Sequence, residues 1–189
     1  MTEARQPLGP RAREILRTAR ALLEDVGYDG LRMRLLAERL GIKAPSLYTH
    51  FRGKLDLENA LIAVGLREQA EVAAAAARDV APEDTMTALW AAYRRWALDN
   101  PALHTLISSR ALDRDDPDVV AAERPGRELV LRAAHGDVAA ATAFWAFAFG
   151  MIALELNDRV PPGRDLDAVW ATGLRGLAST LPPAAQAKL

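Results

Sequence analysis

Apolar residues in this chain recur at intervals of three and four, the period that lines one face of a helix. From about Arg11 to Val26 the stripe is Ile15, Ala19, Leu22, Leu23 and Val26, while Arg13, Arg17, Arg20 and Glu24 fall mostly elsewhere. This predicts a first helix that Gly27 ends in a left-handed conformation. A second helix is predicted over about Arg34 to Leu40, burying Met33, Leu36, Ala37 and Leu40, with the small Ala37 where a crossing helix must come close. The turn Gly41-Ile42-Lys43 leads into a short third helix, about Pro45 to Phe51, whose first turn tolerates proline because the missing N–H has no use there. Leu47 and Phe51, four apart, face inward and leave Ser46, Thr49 and His50 largely outward. A fourth helix, about Leu55 to Arg78, follows.

The same period continues beyond Pro82. Thr85 to Asp99 carries Leu89, Trp90, Tyr93, Trp96 and Ala97 and stops before Asn100-Pro101. A short helix is predicted from Ala102 to about Arg110. The DRDDPD run and the Pro125-Gly126 pair predict a polar, irregular stretch before another helix near Glu128 to Ala134. Asp137 then leads into VAAATAFWAFAFGMIALEL, and Asp165 opens a last helix through Leu181. With no strand pattern and no internal repeat, the expected fold class is all-α.

Composition agrees with that reading and narrows the chemistry. The 189 residues are 50% hydrophobic, enough for one large domain or two small ones, and Ala and Leu dominate over β-branched residues. No cysteine is present, which removes disulfides, thiol nucleophiles and cysteine metal sites together. The first residues, MTEARQPLGPRAR, hold no apolar run of the secretory kind. Net charge is −1, but it is unevenly divided: residues 1–60 hold 11 Lys/Arg against 8 Asp/Glu, and residues 61–189 hold 13 against 17. A modestly basic front on an acidic body suits a polyanion at one end only.

The stretch LAERLGIKAPSLYTHFRGK carries the most specific signal. Its leucine-alanine pair (Leu36-Ala37), turn glycine (Gly41), Leu47-Tyr48, His50-Phe51 and following Lys54 resemble the TetR (tetracycline repressor) family of bacterial transcriptional regulators, over roughly residues 11–61. The resemblance implies a helix-turn-helix DNA-binding domain over 11–60, preceded by a flexible basic arm at 1–10 and followed by a helical ligand-binding and dimerisation body at 61–189. It also implies particular contacts. Arg34 matches a base-reading position, where a guanidinium fork can meet guanine O6 and N7. Ala44, Pro45, Ser46, Thr49 and His50 match positions facing the major groove. Tyr48 and Lys54 match phosphate-holding positions, and Lys43, standing where Ser or Thr often caps the third helix, adds a further phosphate contact.

For the body the resemblance is looser. Trp145, Phe149-Gly150 and Leu154-Glu155 resemble a subgroup marked by a Trp…His-Gly signature, with Phe149 in place of its histidine. The resemblance to the TetR family implies a body that binds an inducer, usually in a cavity among its helices, and Trp90, Tyr93, Trp145 and Phe149 are the candidate lining residues for a small apolar or amphipathic ligand. The seventeen uncharged residues from Val138 to Leu154 reach the short edge of a membrane span, but a helix buried against a partner subunit accounts for them better than lipid does. In TetR-like proteins the last two helices pair with those of a second copy, and Gly173 and Gly176 would permit close approach there. Two heads about 34–36 Å apart then reach successive major grooves of a palindromic operator.

Other chemistry finds little support. The three histidines, His50, His104 and His135, have no metal-ligand spacing. No nucleophile elbow, phosphate-binding glycine loop or H-E-x-x-H is present. Asp113, Asp115, Asp116 and Asp118 approach a calcium-loop spacing, but Pro117 occupies its fifth place and Arg124 its twelfth, leaving a solvated acidic turn as the better account. The expectation is therefore a cytoplasmic, ligand-responsive repressor acting as a homodimer on double-stranded DNA, with no catalytic residue, metal or cofactor. The alternatives are a DNA-binding dimer without an inducer and, remotely, an enzyme.

Overall fold

The computed structural model describes residues 8–181, so most of the arm expected at 1–10 lies outside the described residues. Nine α-helices occur among them: α1 Pro10–Gly30, α2 Met33–Arg39, α3 Ala44–Leu47, α4 Lys54–Ala76, α5 Thr85–Asp99, α6 Pro101–Ser108, α7 Pro117–Ala133, α8 Val138–Leu156 and α9 Leu166–Ala178. A 3₁₀ turn at Pro82–Asp84 precedes α5, and no strand occurs among the described residues. The all-α expectation holds.

The helices fall into two compact units. The first comprises the chain to Glu68 together with Asn100–Arg124. Within it α1 buries Ala12, Ile15, Leu16, Ala19, Leu22 and Leu23, while Val26, expected on this face, is exposed. Gly27 takes φ 72° and ψ 175°, a glycine-favoured conformation but an extended one, so the helix breaks there rather than ending on a left-handed cap. Helix α2 buries Leu36 and Ala37 and leaves Met33 and Leu40 half-buried. Gly41 (φ 66°) closes it: Ile42 N–H donates to Ala37 O at 3.0 Å and Gly41 N–H to Glu38 O at 3.1 Å, the paired bonds of a Schellman turn.

Two polar clamps join α6 to this unit. Glu24 on α1 accepts from Ala102 N–H and Leu103 N–H, both at 3.1 Å, and so satisfies the otherwise orphan amides at the start of α6. Arg20 reaches both Glu68 oxygens at 3.0 and 3.1 Å and Asn100 Oδ1 at 2.5 Å. Gly65 lets α4 and α6 meet closely, since a Cβ there would stand 2.6 Å from Ile107 Cδ1.

The region expected to be irregular around Asp113–Pro125 is instead mostly helix α7, which carries Pro125 inside it. Asp116 Oδ1 accepts from Asp118 N–H at 2.9 Å and Val119 N–H at 3.3 Å, capping a helix whose first residue is Pro117. The proline that suggests a break in the sequence is one tolerated at a helix start.

The second unit comprises Gln69–Asp99 and the chain from Pro125 onward. Here α5 packs against α8 and α9. Asp137 and Asp165 cap α8 and α9, accepting from Ala140 N–H and Ala168 N–H at 3.0 Å each. Arg94 on α5 binds both oxygens of Glu155 on α8 at 2.8–3.1 Å and Asp167 on α9 at 2.5 Å, and Trp170 Nε1–H donates to Glu155 at 2.5 Å. Gly173 does not wait for a second copy: a Cβ there would fall 2.1 Å from Phe147 Cζ, so this glycine admits the ring of α8 within the same chain. Gly176 faces open space.

Candidate nucleic-acid interface

The head presents a short helix anchored from beneath. Leu47 and Phe51 are fully buried, and with Leu36 they fix α3 through its inner side. That anchoring turns Pro45, Ser46, Tyr48 and Thr49 outward, exposed, with Ala44 and His50 half-buried. Regular helix stops at Leu47, earlier than expected. Tyr48 N–H donates to Pro45 O at 3.2 Å, His50 N–H to Leu47 O at 3.0 Å and Phe51 N–H to Leu47 O at 2.9 Å, so the backbone continues through tightening turns. The Thr49 hydroxyl donates to Ser46 O at 2.8 Å.

The cations surrounding this segment differ in their freedom. Lys43 immediately precedes α3, exposed, and its side chain makes no capping bond. Arg34 on α2 is 89% exposed and pairs with Glu38 one turn later at 2.9 Å. Such a surface pair is worth at most about 1 kcal/mol and would open readily toward another partner. Lys54 is the first residue of α4; its ammonium lies 5.3 Å from the centre of the Tyr28 ring and 3.5 Å from Glu58 Oε1.

Arg52, which the sequence does not single out, stands on the same face. Its side chain is 90% exposed, tethered at 3.6 Å to the buried Asp56, which also accepts from Arg52 N–H at 2.8 Å. Arg52 shares a shallow depression of about 410 Å³ with Tyr48, Thr49, His50, Asp56, Asp116 and Pro117. Its place just before a helix-opening lysine was the available signal.

Beside this face stands an acidic loop engaged in local bonds. Asn59 Nδ2 donates to Asp113 at 2.9 Å and Asp116 at 3.1 Å, and Asp115 N–H donates to Asp113 Oδ1 at 3.1 Å. The Asn59 amide, followed by the Asp115 N–H, holds the Asp113 carboxyl below the usual carboxylate range. No group of three or more His, Asp or Glu side chains fit to hold a metal ion occurs among the described residues.

The body candidates form two ring pairs. Trp90 and Tyr93 on α5 meet edge to face at 5.6 Å between centroids, whereas Trp145 and Phe149 on α8 lie 5.3 Å apart with their rings tilted by 37°. Trp90 is buried, Tyr93 and Phe149 half-buried, and Trp145 exposed. Burial pushes the Tyr93 hydroxyl up to about 12. Trp90 Nε1 and Gln69 Nε2 are buried without a hydrogen-bond partner.

A two-helix crossing closed by a glycine turn, with an outward short second helix, defines a helix-turn-helix DNA-binding protein. The family of bacterial regulatory proteins named for TetR matches residues 15–61, and the tetracyclin repressor-like C-terminal domain matches residues 86–177. The chain is 31% identical over 176 residues to an HTH-type transcriptional regulator of Mycobacterium tuberculosis, covering 87% of this chain and 78% of that one. Over 47 residues it is 55% identical to the class C tetracycline repressor protein of Escherichia coli, 25% of this chain and 22% of that protein. The TetR protein of Acinetobacter baumannii, solved with minocycline, shares the fold with a TM-score of 0.65 at 22% identity, covering 87% of this chain and 92% of its own. The chain belongs to the TetR family of transcriptional regulators, which are DNA-binding proteins and not enzymes.

Proposed function

We propose that the chain works in the cytoplasm as a homodimer that represses transcription by occupying a palindromic operator. The observation that carries this reading is the outward, exposed surface of α3 and the turn after it, set on fully buried Leu47 and Phe51. Arg34 reads a base, and Ala44, Pro45, Ser46, Thr49 and His50 face the major groove, with the apolar pair suited to thymine methyl groups. Lys43, Tyr48 and Lys54 hold phosphates and set register.

Dimerisation is supported by the outer face of α8. Ala139, Thr142, Ala143, Ala146 and Gly150 lie exposed along one side, flanked by exposed Val138, Trp145 and Leu154. On α9, Val169, Thr172 and Gly176 are exposed at the same kind of spacing. Small residues at helical spacing permit close helix packing, and exposed apolar area of this kind marks an interface. Helix α8 is long and apolar enough to cross a membrane, with 28% of it buried in the chain. A second copy suits that face better than lipid does, because Glu155 in its last turn is bound within the chain by Arg94 and Trp170.

A small apolar or amphipathic ligand releases the DNA. The buried, unpaired donors Trp90 Nε1 and Gln69 Nε2 support such a site, since orphan buried donors are rare without an acceptor to meet. Trp90, Tyr93, Trp145 and Phe149 are its candidate contacts. A ligand favouring the released dimer shape by about 4 kcal/mol would lower DNA affinity roughly a thousandfold. Selection of bound fragments from a random duplex pool, with and without candidate ligands, tests the whole reading. An inverted repeat should emerge, and protein that retains no duplex at low ionic strength would end it.

A further inference from the structure

Glu58 is a buried carboxylate served by two cations of different kinds. Its side chain is 6% exposed, Arg110 Nη1 donates to its Oε2 at 2.8 Å, and Lys54 Nζ stands 3.5 Å from its Oε1. Oε1 has no hydrogen-bond partner. Arg110 lies just beyond α6, and its other nitrogen donates to Asn59 Oδ1 at 2.7 Å; Asn59 in turn holds Asp113 and Asp116 through its amide. The guanidinium is thus fixed at both ends of its fork, whereas the Lys54 ammonium, on a side chain 42% exposed, sits at the loose end of an ion pair.

We infer that Arg110 is a positioning residue for DNA binding: by holding Glu58, it leaves the Lys54 ammonium free to meet a phosphate. A carboxylate this buried must keep a cation close, because an unpaired charge out of water is strongly disfavoured. While Arg110 supplies that cation, Lys54 can turn outward. Without Arg110, Glu58 draws in Lys54, its one other counterion among the described residues, and each head then holds one phosphate fewer. The inference rests on the reading of Lys54 as a phosphate-binding residue.

Salt titration of operator binding by the full-length protein tests both separately, using wild type, Lys54→Ala, Arg110→Gln and the double variant. Lys54→Ala should lower the slope of log K against log salt by about 0.9 for each phosphate that is no longer neutralised. Arg110→Gln alone should lower it by a similar amount, and the double variant should match Lys54→Ala, because both act through one ammonium. Adding Glu58→Gln to Arg110→Gln should restore the slope, since a neutral amide no longer holds Lys54. Should Arg110→Gln fold poorly, this last pair, which strands no buried carboxylate, carries the comparison against its Lys54→Ala derivative. An unchanged slope in Lys54→Ala would remove the phosphate reading and this inference with it. A normal Lys54→Ala effect with an unchanged Arg110→Gln slope would overturn the inference alone, as would a further drop in the double variant, which would mean that Arg110 acts by its own charge.

Discussion

Arg94→Met offers a sharp test of what holds the body together. The substitution keeps most of the side chain's bulk but removes the charge that meets Glu155, whose own side chain is 6% exposed. Removing one partner of a buried pair typically costs about 3–5 kcal/mol, because the other charge is stranded. Two features argue for the low end: Arg94 is still 19% exposed, so water can reach the site, and Trp170 Nε1–H still donates to Glu155. The expected loss is about 3 kcal/mol, and for a chain of this length that lowers Tm by about 6–12 °C, at about 2–4 °C for each kcal/mol. Thermal unfolding followed by circular dichroism at neutral pH reads the shift, and adding Glu155→Gln should recover much of it. Asp167→Asn, by contrast, should move stability by less than about 0.5 kcal/mol, since that carboxylate is on the surface. A loss below about 1 kcal/mol for Arg94→Met, or no recovery on neutralising Glu155, would refute the stranded-charge reasoning.

Four further outcomes are expected. Arg34→Ala should cost about 1–3 kcal/mol in operator binding and relax preference at one base pair in each half-site; a uniform loss over all sequences in a binding selection would contradict base reading. Ala146→Arg should place a charge in the middle of the exposed α8 face and shift sedimentation toward the 20.5 kDa monomer, and an undiminished dimer would move the interface elsewhere. Gly173→Ala should destabilise by about 1–3 kcal/mol because the added carbon meets the Phe147 ring, and a neutral result in urea unfolding would show that the ring swings aside freely. Burial lowers His104 to about 4, so the unfolded chain binds the extra proton first: stability should be full above about pH 6.5 and fall as pH drops toward 4, by roughly 2–3 kcal/mol. His104→Asn should flatten that stretch of the stability–pH curve, and an unaltered slope would assign it to other groups.

How far the sequence reveals the molecule depends on how local the determinants are. The head is legible because its rules act over a few residues: Leu36-Ala37 and Leu47/Phe51 mark inward positions, and Gly41 closes a turn that requires positive φ. Helix α5 runs from Thr85 to Asp99, as its flanking Asn100-Pro101 predicts. Helix α7 is hidden because Pro117 and Asp116 suit a loop and a helix start equally well, and only the Asp116 capping bonds decide. Nothing in sequence spacing announces Glu24 capping α6 or Arg110 meeting Glu58, since partners some 50 to 80 positions apart are chosen by packing. The expectation for Gly173 fails for the same reason: a glycine signals close approach but not the identity of what approaches.

The division of labour in α3 bears on how such a protein can change over time. Two buried side chains and one turn glycine hold the segment, while Pro45, Ser46 and Thr49 contribute almost nothing to the interior. Exchanges at those exposed sites should therefore be nearly neutral for folding, and if they face DNA as proposed, a lineage could drift to new target sequences without first acquiring a stability reserve.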